Sequence, residues 1–468
     1  MEVDKEKISS WVNEELNGID IGDTRLNDRA KIMLETLGSK PNVSIPNAFC
    51  NGWSELKAAY RFFDNGKVTA EKILLPHTKA TIKRIQQEKV VLIPQDTTQF
   101  HFYDKNLEGI GPLSYENEAG FLSHISMAVT PEGVNLGIIS NRTWARNELG
   151  KTADRKKKRI EEKESYRWLE SLLIANEVAK KAPKTTIVSV SDREGDIYEL
   201  YAELDKLETD NLHYLVRVSI DRKLEDEAAN GNTIWSNIVQ ADNLGEIEVN
   251  IPRSGSRKSR QAVLTLRASQ VRLCPPKRDN GEQLLPVEMS IILAQEESPP
   301  KGSEPIQWLL LTDIEVTTFE EAVEKLSWYI CRWQIEIYFR ILKTGCKIEE
   351  LQLEHFDRIK VCLSLYMIIA WRIQMLIKFG KEVPEMPCDV LFDGDEWKAA
   401  YIIKFKQVPP KQVPTLGEMC RVVASFGGFI GRKSDGFPGA ETLWLGLQRV
   451  RDFKIALAAA KAMVGTYG

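Results

Sequence analysis

The stretch from residue 88 to residue 219 restricts the fold most tightly, because strand-like and helix-like runs alternate there in a fixed order. "VVLIPQ" leads into Asp96. "FLSHISMAVT" and "GVNLGIISNRTW" are two further strand-like runs joined by the turn "PEG". A helical run follows and stops at Pro183. "TTIVSVS" then leads into Asp192, a helix lies behind it, and "LHYLVRVS" is one more strand. Three strands, helix, strand, helix, strand is a mixed α/β pattern. Asp96 and Asp192 are expected at strand ends, the edge of an α/β sheet where sites form.

The flanks differ. Residues 1–70 read as polar helices: "GDTRLNDRAKIMLETLG" begins with turn chemistry and ends at Gly38, and "WSELKAAYRFFDN" is a second helical piece. Arg25, Arg29, Lys31, Lys57 and Arg61 give them cations that suit either solvated helix faces or DNA contact. Another basic run, 155–159, opens the helix before Pro183. Residues 220–305 interrupt the α/β pattern with short β-like runs. Between residues 252 and 278 they carry eight cations (Arg253, Arg257, Lys258, Arg260, Arg267, Arg272, Lys277, Arg278) and no acid. Two readings compete, a β-hairpin with charged faces and a surface that binds phosphates. "IQWLLLT" returns as a core strand. Beyond about 380, proline-rich linkers separate further helices.

The net charge of −4 means that any nucleic-acid footprint is local. The charged N-terminus argues against a signal peptide. The run "VCLSLYMIIAW" is too short to span a bilayer and reads as a buried helix. Seven cysteines without a CxxC pair argue against a disulfide framework, so the cytoplasm is the expected compartment. Five scattered histidines leave zinc unsupported. A metal here would be hard and oxygen-ligated.

One helical segment stands out. "TTFEEAVEKLSWYICRWQIEIYFRILKTGC" reads as one long helix, capped by Thr318 with Glu321 three residues on. With Tyr329 at zero on a helical wheel, Arg332, Glu336, Arg340 and Lys343 fall near about 300°, 340°, 20° and 320°. They form one stripe on an otherwise apolar helix. A mostly buried helix of this kind either faces a ligand or holds a buried ion-pair network. With Asp96 and Asp192, Glu336 makes three carboxylates from three distant parts of the chain. An all-oxygen set suits Mg²⁺ or Mn²⁺, and two such ions can clamp both oxygens of a phosphodiester displacement. Arg332 and Lys343 beside them would hold phosphates.

"YICRWQIEIYFRILK" resembles the Tyr-x2-Arg-x3-Glu-x6-Lys signature of bacterial cut-and-paste transposases of the insertion-sequence-four type. "QDTT", "SDREGDIY", "PPKGSEPIQWLLLT" and "YRFF" stand in the order that resemblance predicts. It implies a ribonuclease-H-like α/β catalytic core at 71–380 with a β-rich insertion at about 220–305. A helical DNA-end-binding domain at 1–70 and a helical dimerisation domain at 381–468 flank it. Asp96, Asp192 and Glu336 are implied as the metal-binding catalytic triad, with two Mg²⁺ per site and Mn²⁺ as a substitute. Tyr329, Arg332, Lys343 and Arg217 are implied on DNA phosphates. Trp308 is implied to stack on a flipped base, although on its strand it also reads as a core tryptophan. Arg25, Arg29 and Arg61 are the candidate end-binding residues. The implied partners are double-stranded DNA, as transposon inverted ends and target, and a second copy of the chain in a homodimeric synaptic complex, with no membrane. The implied reaction is end cleavage through a hairpin intermediate and joining of 3′ ends to target. The alternative is a ribonuclease-H-like endonuclease that cuts without joining. Arg340, on the stripe but outside the signature, either touches DNA or balances Glu336.

Overall fold

The computed structural model describes residues 8–49, 52–102, 107–114, 118–148, 158–207, 209–225, 232–251, 260–277, 283–432 and 435–466. The strands are β1 (Val90–His101), β2 (Gly111–Pro112), β3 (Ala119–Val129), β4 (Asn135–Trp144), β5 (Thr186–Ser191), β6 (Leu212–Arg217), β7 (Asn243–Ile251), β8 (Arg260–Leu273), β9 (Val287–Gln295) and β10 (Gln307–Thr312). All ten belong to one sheet, in the order β3-β1-β5-β6-β10-β9-β8-β7, with β2 and β4 both on β3. The β1–β3 and β3–β4 pairs are antiparallel, while β1–β5 and β5–β6 are parallel. This is the strand order of a ribonuclease-H-like core. Strands β1 and β5 are apolar over consecutive residues because the sheet is covered on both faces there.

The segment between β6 and β10 is built into that sheet. Its strands β7, β8 and β9 add antiparallel to β10 and widen the sheet at one edge. This changes the reading of the basic patch. Arg260 pairs with Glu296 at 2.5 Å, Arg267 with Glu297 at 3.8 Å and Arg272 with Glu225 at 2.9 Å. The acids absent from the local sequence come from neighbouring parts of the chain, so these three cations are already neutralised. Arg253, Arg257, Lys258 and Arg278, like residues 155–157 of the other basic run, lie outside the described residues.

Helices cover both faces. They are α1 (Ser10–Glu15), α2 (Thr24–Ser39), α3 (Ile45–Ala48), α4 (Trp53–Phe63), α5 (Ala70–Ile85), α6 (Tyr166–Lys181), α7 (Tyr198–Leu204), α8 (Ile234–Ile238), α9 (Phe319–Cys331), α10 (Trp333–Arg340), α11 (Phe356–Glu382), α12 (Gly394–Phe405), α13 (Leu416–Phe426) and α14 (Ala440–Thr466). Asp23 caps α2 by accepting from Arg25 N, and Thr69 caps α5 by accepting from Lys72 N. The centre of the helical layer is α11, which carries the apolar run noted in the sequence. Among the described residues it is the one helix long and apolar enough to cross a membrane, and 89% of its apolar window is buried inside the protein. One continuous core joins it to α2, α4, α13 and one face of β1 and β3. The six described cysteines are free thiols.

Candidate active site

The long helix expected over 318–346 is interrupted. Thr318 and Glu321 form the capping box of α9. At Arg332 the backbone tightens: Arg332 N donates to Tyr329 O and Ile335 N donates to Arg332 O, both at 3.0 Å. Beyond α10 the chain widens into a π-turn over Ile341–Gly345, closed by Cys346 N donating to Ile341 O at 2.8 Å. The stripe is therefore bent, and it does not lie on a wholly buried helix. Arg332 is buried, whereas Glu336 and Arg340 are exposed. Helix α10 is fixed from behind by α11. Tyr338 donates its hydroxyl to Met367 O, and the Gln374 amide donates to Gln334 O, both at 2.9 Å. These bonds hold the exposed Glu336 against the end of the sheet.

Asp96 lies within β1, which continues to His101 along β3. The strand-end expectation holds only for the parallel side: the last β1–β5 pair is Pro94 with Val190. Asp96 and Asp192 each stand two residues beyond that pair, side by side at the carboxyl edge. Asp192 caps the following turn by accepting from Glu194 N at 2.8 Å. Arg332 donates to Asp96 Oδ2 at 3.2 Å through Nη1 and to Glu336 Oε1 at 2.7 Å through Nη2. Its guanidinium thus links two of the three predicted acids, and its buried Nε has no hydrogen-bond partner among the described residues. Burial and the charge of Asp192 push the Asp96 carboxyl up to about 7, against the opposing pull of Arg332.

No group of three His, Cys, Asp or Glu side chains among the described residues is drawn together tightly enough to hold a metal ion. Arg332 now supplies the positive charge between Asp96 and Glu336. The donor set still fits a hard divalent cation, being all carboxylate oxygen. Burial and, after it, the charge of Asp192 raise Asp96, and that neighbouring negative charge marks a place where added positive charge is stabilising.

The other predicted residues divide. Tyr329 is buried, with Arg332 5.8 Å from its ring centre, and beside Arg217. Arg217 donates to Gln307 O at 3.1 Å. Lys343 sits further along β1, 5.6 Å from the Phe100 ring and 3.8 Å from Glu349. Its ion-pair partner among the described residues is Glu349, not Asp96, Asp192 or Glu336. Burial lowers its pKa, partly offset by Glu349. Trp308 is 6% exposed and boxed in by Tyr329 and Trp333, at 6.3 and 6.1 Å between ring centres. The core reading of Trp308 is therefore the one this conformation adopts, and no face is free to receive a base. Arg340 has no ion-pair partner among the described residues; Arg332, not Arg340, balances Glu336. At the N-terminus Arg25 is exposed but bound to Asp23 at 3.0 Å, Arg29 is half-exposed and Arg61 exposed.

A polar network beneath the acids escaped sequence reading. Arg167 Nε donates to Thr97 Oγ1 at 2.8 Å, and its Nη2 donates to Glu194 at 2.7 Å. Thr97 Oγ1 then donates to His124 Nδ1 at 2.9 Å. Nε2–H of His124 donates to Gln95 Oε1 at 3.2 Å, and the Gln95 amide donates to Ser189 Oγ at 2.7 Å. Every member has a partner, and this pattern of donation suits a neutral His124. Burial agrees, pushing its pKa well below the usual range. Gln95 and Thr97 flank Asp96 in "QDTT", the one sequence signal available. Arg167→Ala is expected to slow cleavage about 10- to 100-fold, since small misplacements of reacting groups cost that much, with DNA affinity unchanged. Single-turnover cleavage alongside a gel-shift titration checks this.

Three family models match the chain. "Transposase DNA-binding" covers residues 8–68, "Transposase DDE domain" 195–372 and "Transposase Tn5 dimerisation domain" 368–466. The chain thus carries transposase DNA-binding and DDE domains and a Tn5-type dimerisation domain. The DDE-domain match contains Glu336 and begins just after Asp192, so Asp96 and Asp192 precede it. Such a domain implies divalent-metal dependence, and its flanking domains imply DNA binding and dimer formation. The stretch 380–415 falls within the dimerisation-domain match. Among solved structures, a similar chain is the piggyBac transposase in a cryo-EM structure of its synaptic complex with hairpin DNA. Identity is 9%, coverage is 80% of this chain and 73% of that one, and the TM-score is 0.36. A likeness that distant carries no argument about this chain.

Proposed function

We propose that this chain is a cut-and-paste DNA transposase of the insertion-sequence-four type, acting in the bacterial cytoplasm. Residues 1–70 bind the transposon inverted ends through cations that include Arg25, Arg29 and Arg61. Residues 71–380 cut and join, and residues 381–468 pair two copies in a synaptic complex. The observation that carries this reading is the pair Asp96 and Asp192 at the carboxyl edge of the parallel strands, with Arg332 linking Asp96 to Glu336, within a chain that has a DDE domain.

Asp96, Asp192 and Glu336 would hold two Mg²⁺ ions, which when bound polarise the scissile phosphate and lower the pKa of the attacking water or 3′-hydroxyl. The chain's own residues do the rest. The polar network holds Asp96 in place, and α11 holds Glu336 in place. Arg332, now bonded to Asp96 and Glu336, would be free to take a DNA phosphate once those acids held cations. Tyr329 and Arg217 line the same edge and orient the strand beside the cut. Each step is an in-line displacement at phosphorus, so one set of groups can serve nicking, hairpin formation, hairpin opening and joining.

A paired-end assay with DNA ends taken from the sequence flanking the gene, a target plasmid and Mg²⁺ tests this. Hairpin-ended excision followed by joined product is expected. Cleavage without joined product would favour the endonuclease alternative. Metal affinity is also expected to depend on pH. A carboxylate must be unprotonated to hold a cation, and Asp96 keeps its proton up to about pH 7. Apparent affinity should rise with pH up to about 7 and level off above it, as isothermal titration at fixed ionic strength would show. The same dependence in Asp96→Asn would refute the assignment to Asp96.

A further inference from the structure

A second concavity opens beside Asp192, where β5 and β6 end. It measures about 190 Å³ and is lined by Arg193, Arg217, Ser219, Trp235, Gln307 and Leu309, among others. The carboxyl ends of parallel strands are where α/β sheets take ligands. The volume falls below the roughly 300 Å³ of small-molecule pockets, so it suits one unit of a longer chain better than a free ligand.

Its chemistry is that of an anion site with an aromatic wall. Arg193 is exposed, and its guanidinium has no partner among the described residues. Arg217 commits one donor to Gln307 O. Tyr329 also lies beside Arg217. Arg193 and Arg217 line the same cavity, and like charges so placed cost energy until an anion joins them. The acid at the rim, Asp221, is engaged by the backbone N–H of Trp235 at 2.9 Å. The far wall is pre-built. Buried Asp196 accepts from Ser219 N at 2.6 Å and Ile220 N at 2.9 Å, and pairs with Arg222 at 2.5 Å. Trp235 packs on the core with part of its surface open, whereas Trp308 is enclosed.

We propose that this cavity binds one nucleotide of single-stranded DNA, the phosphate on Arg193 and Arg217 and the base against Trp235. The choice of DNA rests on the transposase reading; the phosphate and base contacts rest on the cavity itself. The site lies next to Asp192, so it would hold the strand that leaves the duplex as an end is cut.

The test uses the full chain without metal and a 12-nucleotide oligothymidylate carrying one 2-aminopurine. Binding should quench the 2-aminopurine. Trp235→Ala should bind about 5- to 150-fold more weakly, as for the loss of one stacked base, and Trp235→Phe should restore most of that loss. Arg193→Gln, at an exposed position, should reduce the slope of log affinity against log salt by about 0.7, the value for one phosphate on a single strand. An unchanged slope in Arg193→Gln, or undiminished affinity in Trp235→Ala, overturns the proposal. This binding needs neither inverted ends nor catalysis. A chain that fails to cut paired ends yet shows these losses sinks the transposase reading and leaves the cavity assignment standing.

Discussion

Glu336→Gln and Asp96→Asn are each expected to abolish strand cleavage and joining while leaving end binding intact. Both changes keep shape and remove a negative charge. Glu336 is exposed, so the amide costs little in folding, and it can still accept from Arg332. The loss is chemical. Taking one carboxylate from a two-ion site removes several kcal/mol of transition-state stabilisation. About 4–6 kcal/mol corresponds to roughly 10³- to 10⁴-fold in rate. Asp96→Asn also removes the repulsion with Asp192, so the metal-free variant should be slightly more heat-stable above about pH 7, where wild-type Asp96 is ionised. Gel-resolved cleavage kinetics and thermal melts read the two effects. Cleavage within tenfold of wild type in either variant would remove that residue from the triad.

The second large effect is on stability, at the joint between the N-terminal helices and the sheet. Glu15 on α1 is 2% exposed. It accepts from Arg84 at 2.8 and 3.2 Å and bonds His77 Nδ1 at 2.5 Å, both partners lying on α5. Ile138 N donates to His77 Nε2 at 3.0 Å, so Nδ1 carries the proton and His77 is neutral. Arg84 also donates to Leu136 O and lies 4.5 Å from the Trp371 ring centre. Glu15→Ala strands Arg84 and the His77 N–H, and breaking a buried pair costs about 3–5 kcal/mol. Limited proteolysis should then release the N-terminal helices at temperatures where wild type resists, and Glu15→Gln should recover part of the loss. Despite the burial that opposes it, the bonds from His77 and Arg84 leave the Glu15 carboxyl below its usual pKa; burial depresses His77. Both shifts act in one direction. Below about pH 6.5 the unfolded His77 gains a proton that the folded one refuses. Below about 4.5 the unfolded Glu15 does so as well. This joint is therefore fully stable above about pH 6.5 and weakens as the pH falls. A melting profile for the N-terminal unit that is flat between pH 4 and 7 would contradict the arrangement.

Local patterns were legible because they depend on neighbours in the chain. Apolar runs in β1 and β5 required a sheet covered on both faces. Thr318 and Glu321 fixed the start of α9, and the spacing of Arg332 and Glu336 put both on one side of their segment. The order of strands and helices was enough for the α/β core, and the apolar run of α11 for its burial.

Other features depend on groups tens of residues apart, and there the tertiary structure decided. The acids that neutralise Arg260, Arg267 and Arg272 come from outside their run, so a patch that looks bare in sequence is paired in space. Trp308 is enclosed because Tyr329 and Trp333, on either side of the helix interruption at Arg332, both pack on it, which helical periodicity does not reveal. Arg167 and His124 support Asp96 through bonds between three separate elements. The sequence by itself determined which residues carry charge and where the backbone forms strands and helices, since both follow from side-chain type and short-range periodicity. Which charges neutralise one another, and which aromatic faces stay open, was settled by packing, because Coulomb interaction and burial depend on distance in space rather than along the chain.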